Sequence, residues 1–408
     1  MCALQIGGLS ATDLVETYGS PLYVYDGDLI RRRYEELSAA LSFPRTRIHY
    51  AMKANNNPAI LQLLRSLGAG IDATSPGEVY LALRAGFPPA DILFTGVNPS
   101  MDDLAYCHEQ GVQVNIGSLH VLEAWGARYP GSTVSVRVNP DVGAGHHEHT
   151  ITGGPSSKFG IYHTEMQTVE SIAENHGLSI VGLHSHIGSG ILETGAFIRA
   201  MDIILDAARH VPGLSFVDIG GGIGVPYRPG EAPMPLAELG AAISSRFADF
   251  CTTYGADLSL KVEPGRFLVA EAGTLLATVT NLKKTSRYRF MGVDSGFNHL
   301  ARPVLYGSYH HIENASRPDA PPLPYLVGGN LCESGDIFTR TEDGLEERLI
   351  ASPEVGDVLA IRTCGAYGYS MASTYNSRLL PAEVMLSGGT ARLTRRRQTL
   401  EDLTWADL

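Results

Sequence analysis

Ile48-His49-Tyr50-Ala51-Met52-Lys53-Ala54-Asn55-Asn56-Asn57 decides how the rest of the chain is read. The apolar run 46–53 has the composition of a buried strand, and the amphipathic stretch 58–67 that follows has helical spacing. The unit then recurs. Apolar runs at 70–74, 91–95, 112–116, 133–140, 179–187, 214–219 and 258–263 alternate with helical stretches such as 196–210, and Gly68, Gly86, Pro88, Gly111 and Pro130 punctuate the joints. Eight β-then-α units in roughly 220 residues is the count and length of a (β/α)8 barrel. An open doubly wound sheet normally uses fewer strands, and no Gly-x-Gly-x-x-Gly follows the first run.

Lys53 stands at the tip of the first strand. Burial there lowers an ammonium pKa from about 10.4 towards neutrality, and a neutral amine attacks carbonyls to form a Schiff base. The plainer alternative is a lysine snorkelling out of a strand end. What decides between them is the company it keeps. Asp72, Gly96, Asn139, His186, Gly220 to Gly222 and Glu263 also fall where strands end, on the face where barrels build their sites. The long connection 141–162 is read as a substrate-side loop over that face. It carries His146, His147 and His149, but no acidic or cysteine partner at ligand spacing, so no metal is expected.

After residue 272 the texture changes to short β-rich runs, at 274–281, 287–294, 324–329, 356–364, 383–387 and 391–396. Leu22-Tyr23-Val24-Tyr25 is also strand-like and is expected to return to that region. The expected division is therefore a barrel over 28–272 and a β-domain, a sandwich or barrel, from 1–27 and 273–408. With 408 residues, 44% of them apolar, there is material for two cores. No run approaches the roughly 20 apolar residues of a membrane span. The formal net charge of -12 opposes a nucleic-acid or anionic-membrane partner. Cys2, Cys107, Cys251, Cys332 and Cys364 are scattered and odd in number, which argues against disulfides and zinc. Met1-Cys2-Ala3-Leu4-Gln5 shows no signal-peptide pattern. A cytoplasmic protein is expected.

Four motifs, and a fifth glycine-tyrosine stretch after them, join Lys53. In His184-Ser185-His186-Ile187-Gly188-Ser189-Gly190, a histidine can stack on a flat aromatic cofactor and Ser189 can bond a phosphate. The same spelling serves an ordinary histidine in a glycine turn. Gly220-Gly221-Gly222 follows the seventh strand, where barrels commonly bind phosphate through backbone N–H groups; glycine triplets are also plain turns. Glu263-Pro264-Gly265-Arg266 ends the eighth strand. A glutamate there can hold a pyridine nitrogen in its protonated form, or pair internally with the arginine. Cys332-Glu333-Ser334-Gly335-Asp336 puts three ionisable side chains on one loop, where a thiol can serve as an acid. Gly365-Ala366-Tyr367-Gly368-Tyr369 offers a tyrosine suited to capping a phosphate.

In this order the motifs resemble the fold-type III pyridoxal-phosphate decarboxylases, the group related to alanine racemase and ornithine decarboxylase. Within that group they are similar to the diaminopimelate decarboxylases. The resemblance runs from Pro21-Leu22-Tyr23-Val24-Tyr25 to Arg395-Arg396-Arg397-Gln398-Thr399. It includes Asp294-Ser295-Gly296-Phe297-Asn298, Arg302-Pro303-Val304-Leu305-Tyr306-Gly307 and Tyr375-Asn376-Ser377-Arg378. It implies pyridoxal 5'-phosphate carried on Lys53, with His186 against the ring and Glu263 at its nitrogen. Ser189, Gly220, Gly221, Gly222, Pro264, Gly265, Arg266 and Tyr367 would surround the cofactor. Arg266, Arg302, Tyr306, Glu333 and Tyr367 match substrate-binding positions, and Cys332 matches the proton donor. It further implies a homodimer, with Cys332 and Glu333 reaching the partner's site.

The implied reaction removes CO2 from one end of meso-2,6-diaminopimelate and leaves L-lysine. The other end carries a carboxylate and an ammonium, which need cations such as Arg266 and Arg302 and an anion such as Glu333. An arginine facing a substrate with no distal carboxylate would be an unpaired buried charge. Arg302 is thus the chief argument for substrate class. Three other readings stand beside it: a decarboxylase of a related amino acid with an acidic tail, an amino-acid racemase, and a non-catalytic cofactor-binding homologue. Glu263 opposes the racemase, since racemases of this fold place an arginine at that nitrogen. The presence of both Lys53 and Cys332 opposes the last.

Overall fold

The computed structural model describes residues 4–145, 152–154 and 157–407; His146, His147 and His149 lie outside them. It divides into two units. One is Arg33–Val225 with Ala232–Phe267. The other is the chain up to Arg32, Pro226–Glu231, and everything described from Leu268 on.

The first unit is a closed barrel. Its strands are β1 Thr46–Ala51, β2 Gly70–Ala73, β3 Ile92–Phe94, β4 Gln113–Ile116, β5 Thr133–Asn139, β6 Ser179–His184, β7 Phe216–Asp218 and β8 Ser259–Val262. Each pairs in parallel with the next, and β8 returns to β1. All eight apolar runs thus contain a strand. They read as nearly continuous apolar stretches because both faces of such a sheet are covered. The βα turns end on a repeated device: Asn57, Ser75, Ser100 and Ser118 each accept a backbone N–H of the helix that follows, a cap worth about 1 kcal/mol. The helix Thr194–Ala208 buries Ala196, Phe197, Ala200, Met201, Ile204, Leu205 and Ala208, one stripe at helical spacing. Each of its larger side chains contributes about 1.5–3 kcal/mol.

Register puts chemistry into one level of the barrel. Arg137 of β5 stands beside His184 of β6, His184 beside Asp218 of β7, and Asp218 beside Lys261 of β8. Neighbours in register share a face of the sheet, so four ionisable residues form one row. One expectation needs correcting at the rim. β1 stops at Ala51, and Lys53 lies in a 3-10 turn, Met52–Ala54. There Tyr50 Oη donates to the Asn55 carbonyl at 2.9 Å and bends the chain away from the strand.

The second unit is mostly strand. Its sheet runs Arg348–Ala351, Pro322–Gly328, Arg289–Val293, Gly273–Lys284, Leu22–Asp26, Ala382–Ser387, Thr390–Arg395. The N-terminal strand does enter it, antiparallel to Gly273–Lys284 and parallel to Ala382–Ser387. Leu22, Val24, Leu276, Ala360, Val384 and Leu386 form its core. Tyr25 Oη donates to Glu383 at 2.6 Å, and Arg395 pairs with the same buried carboxylate. The strands Ile312–Asn314 and Arg348–Ala351 and the helix Arg302–Tyr306 were not anticipated; each is too short to show a period. Among the described residues no helix is long and apolar enough to cross a membrane.

Candidate active site

Lys53, His186 and Glu263 line one cavity of about 390 Å3, together with Asp72, Thr74, Thr95, Val97, Arg137, Thr152, Lys158, Phe159 and His184. Ligand sites usually span about 300–1,000 Å3. The substrate-side loop reaches it: Thr152 Oγ1 donates to the His186 carbonyl at 2.9 Å, and the N–H groups of Ala144 and Thr152 donate to the Ile187 carbonyl.

Lys53 Nζ lies 2.6 Å from Asp72 Oδ2; the lysine side chain is 37% exposed and the aspartate fully buried. Deep burial is therefore not what makes this amine reactive. A carboxylate at that distance favours the ammonium, so Asp72 holds Lys53 in place as a cation until its proton is taken.

Beneath the amine lies the charged row. His184 Nε2 is 2.9 Å from Glu263 Oε2. Donor and acceptor atoms of His184, Asp218 and Glu263 fall within 4.8 Å of one another. Burial raises the Glu263 carboxyl to about 8, with Asp72 adding to the effect. Burial and then Glu263 raise Asp218 to about 8. Burial lowers His184 to about 4 and Arg137 to about 10. Burial thus favours the protonated form of the Asp218 and Glu263 carboxyls and the neutral form of the His184 imidazole. Glu263 Oε1, Asp218 Oδ2, His184 Nδ1, Arg137 Nη2 and Asp72 Oδ1 are buried without a hydrogen-bond partner among the described residues.

The glycine loops supply the rim. Gly221 N–H donates to His186 Nδ1 at 3.1 Å, so that nitrogen is an acceptor and a neutral ring carries its proton on Nε2. Burial, then the charge of Lys53, pushes His186 well below the ordinary histidine range. A Cβ on Gly221 would overlap the Glu263 carbonyl oxygen, and Gly222 has φ +117 and lies against the Gly188 carbonyl. Only glycine brings the 188–190 and 220–222 segments this close. Arg266 Nε and Nη2 donate to Ser189 Oγ at 3.3 and 3.0 Å. The Pro264 carbonyl accepts from Ala51 N–H at 3.2 Å, and Gly265 packs on Ala51 and Ala54. That contact seats the Glu263-Pro264-Gly265-Arg266 turn against the Lys53 turn.

The remaining candidates belong to the β-unit, where they fall in three places. Arg302, 1% exposed, puts its guanidinium 4.5 Å over the Tyr227 ring and donates toward His310 Nε2 at 3.2 Å; Tyr306 closes the same short helix. Cys332 and Glu333 are exposed on a loop whose root is a buried carboxylate. Asp336 accepts from Phe297 N–H at 2.7 Å and Leu331 N–H at 2.9 Å, while Cys332 N–H donates to Asn376 Oδ1 at 2.8 Å. Tyr367 is half-buried in a left-handed conformation, φ +56.

Residues 28–270 match the model of the pyridoxal-dependent decarboxylase pyridoxal binding domain. The diaminopimelate decarboxylase of Methanothermobacter thermautotrophicus is 45% identical over 410 residues, 98% of this chain and 94% of that protein. The chain belongs to the diaminopimelate decarboxylase family. A solved diaminopimelate decarboxylase superposes with a TM-score of 0.91 at 38% identity, over 97% of this chain and 96% of that one. The Helicobacter pylori diaminopimelate decarboxylase complexed with L-lysine does so at 0.87 and 34%, over 96% and 98%. Family membership makes the chain a pyridoxal-phosphate carboxy-lyase with a small-molecule, amino-acid substrate.

The cavity fits the cofactor this family uses. It presents an amine, Lys53, and a buried carboxyl oxygen with no partner among the described residues, Glu263 Oε1. Beside it run glycine backbones too close for any side chain. A carboxyl that burial keeps protonated becomes a stable anion once a cationic ring nitrogen faces it. Sequence reasoning left Asp72, Arg137, His184 and Asp218 without roles. Arg137 had a signal, an arginine alternating with Val134, Val136 and Val138 in an otherwise apolar run. His184 stood in a quoted motif, two residues before the histidine that drew attention.

Proposed function

We propose that this chain decarboxylates meso-2,6-diaminopimelate to L-lysine and CO2, the last step of lysine biosynthesis. The observation that supports it is the meeting, in one cavity, of the Lys53 amine, the His186 ring and the bare Glu263 oxygen. Pyridoxal phosphate, when bound, draws off the electron pair left as a carboxylate departs as CO2. The chain does the rest. Lys53 Nζ would hold the cofactor's aldehyde carbon, with Asp72 fixing the approach of the amine. Glu263 would give its proton to the ring nitrogen and stay beside it as the anion, braced by His184. His186, anchored through Nδ1, would lie across the ring. Ser189, Gly220 to Gly222, Arg266 and Tyr367 would take the phosphate and its surroundings.

The substrate's unreactive end sets specificity. Arg302 would bind its carboxylate, with Tyr306 and Arg266 beside it, and Glu333 its ammonium. The Cys332 thiol would return a proton to the carbon that lost CO2. The side chains of Cys332 and Glu333 are exposed on a loop tied down through its backbone, at Asp336 and at Asn376. That suits two groups that act in a partner subunit's site, and a cytoplasmic homodimer is the assembly proposed.

The test is to incubate the purified protein and pyridoxal phosphate with meso-diaminopimelate, L-lysine and L-ornithine in turn. L-lysine and CO2 from the first alone are expected. Cadaverine or putrescine from the others would overturn the substrate assignment.

A further inference from the structure

Arg302 is held by a residue that no sequence motif singled out. Its guanidinium meets, in the same unit, the Tyr227 ring below, at 4.5 Å, and His310 Nε2 at its edge, 3.2 Å from Nη1. His310 is 1% exposed, and its state is legible from its other nitrogen. Nδ1 lies 2.9 Å from the Arg362 carbonyl oxygen. A carbonyl only accepts, so Nδ1 carries the proton, and Nε2 of the neutral ring is left with a lone pair. That is the tautomer able to accept from an arginine, which has donors only. The ring is fixed as well. It meets Tyr227 edge-on at 5.5 Å and 79°, and its own carbonyl accepts from Arg348 Nη1 at 2.6 Å. Tyr227 is pinned in turn, its N–H donating to Glu231 Oε2 at 2.8 Å, and next to it Arg228 reaches Glu346 at 3.4 Å.

We propose that His310 is a positioning residue for substrate specificity: by accepting from Arg302 Nη1 above the Tyr227 face, it presets the guanidinium plane that receives the carboxylate of the substrate's unreactive end. This rests on the reading of Arg302 given above. The physical basis is pre-organisation. A guanidinium is a planar fork whose bidentate fit to a carboxylate depends on its plane. One face on an aromatic ring and one edge on an acceptor fix that plane before the substrate arrives, so less freedom is lost on binding.

The experiment compares His310→Leu, His310→Gln and Arg302→Ala in the cofactor-loaded enzyme. The readouts are KM and kcat for meso-diaminopimelate, inhibition by L-lysine and by 1,5-diaminopentane, cofactor affinity, and the thermal midpoint. A guanidinium whose plane is no longer set forfeits up to one charged hydrogen bond to the carboxylate, about 10- to 150-fold in binding. His310→Leu is therefore expected to raise KM and the L-lysine inhibition constant by about that factor, with kcat changed far less. The glutamine carbonyl reaches to about the depth of Nε2, so His310→Gln should recover most of the loss. Inhibition by 1,5-diaminopentane, which has no carboxylate, should be the same in all three. If Arg302→Ala raises KM and His310→Leu does not, this inference is overturned and the role of Arg302 stands. If Arg302→Ala leaves KM unchanged, the underlying reading falls and this one with it. If His310→Leu lowers cofactor affinity and the thermal midpoint together and His310→Gln restores neither, His310 is only a core residue and the proposal is wrong.

Discussion

Replacing Glu263 with glutamine should act in opposite directions on the cofactor-free and the cofactor-bound protein. Without cofactor, burial holds the Glu263 carboxyl at about 8 against an ordinary 4.5. The folded state therefore binds more protons than the unfolded chain between those values, so this group's contribution to stability falls as pH rises from about 4.5 to 8. At 1.36 kcal/mol per unit the whole gap corresponds to about 5 kcal/mol. Asp218, also held at about 8 and raised in part by Glu263, shares the effect. Assigning roughly half of the gap to Glu263 leaves about 2–3 kcal/mol. Glutamine keeps the shape and a hydrogen bond to His184 but cannot ionise. The cofactor-free variant should match the wild type near pH 4.5 and exceed it by about 2 kcal/mol at pH 8.5. His184, lowered to about 4, costs both proteins stability as pH falls from 6.5 to 4, so it cancels in the difference.

With pyridoxal phosphate bound the order reverses. The variant lacks the anion opposite the ring nitrogen. A hydrogen bond to a charged group, worth about 1.5–3 kcal/mol, corresponds to about 10- to 150-fold in cofactor affinity. Urea unfolding at pH 5, 7 and 8.5, with and without saturating cofactor, reads both effects. A wild-type-minus-variant difference that stays flat with pH in the cofactor-free protein would refute the account of Glu263 as a buried, protonated carboxyl.

Lys53→Ala should abolish both activity and the yellow chromophore that borohydride fixes to the wild-type chain; retained activity would end the proposal. Cys332→Ala should lower kcat by about 100-fold or more, the usual worth of a positioned acid, with cofactor affinity unchanged, and an unaltered rate would remove the thiol from that role. Gly221→Ala drives a methyl into the Glu263 carbonyl. It should cost about 1–3 kcal/mol of stability, the cost of overpacking, and weaken cofactor binding, so a variant with wild-type unfolding and affinity would show that Gly221 and the Glu263-Pro264 backbone need not touch.

The barrel was legible because parallel strands covered on both faces are apolar from end to end, and eight such runs stand out between capped helices. Lys53, His186 and Glu263 were legible because polar residues at those tips are hard to explain otherwise. What stayed hidden depends on register. Nothing in the apolar run 133–140 says that Arg137 stands beside His184, or that Asp218 stands between His184 and Lys261. Those pairings follow from the shear of a closed barrel and join residues far apart in the chain. His310 was hidden for a similar reason. It precedes a three-residue strand, Ile312–Asn314, and its meaning comes from Arg362 and Arg302 on other elements.

The interiors of (β/α)8 barrels are ordinarily filled by branched apolar side chains in layers. Here one level holds Arg137, His184, Asp218 and Lys261, with Glu263 above it, and five polar atoms of this cluster and of Asp72 have no partner among the described residues. Folded proteins leave few such atoms, and each costs about 1–3 kcal/mol. Concentrating them in one cavity makes sense if the cost is offset by a ligand that brings the missing partners, beginning with a cation for Glu263. The same atoms then weaken the empty barrel and tighten its hold on the cofactor. A buried ligand of this kind stabilises the fold by RT ln(1 + [L]/Kd), about 4 kcal/mol at a thousandfold excess over Kd. Substitutions that make the cavity floor apolar should narrow the stability gap between the empty and loaded protein from both sides. Substitutions on the helical faces outside should move both states together.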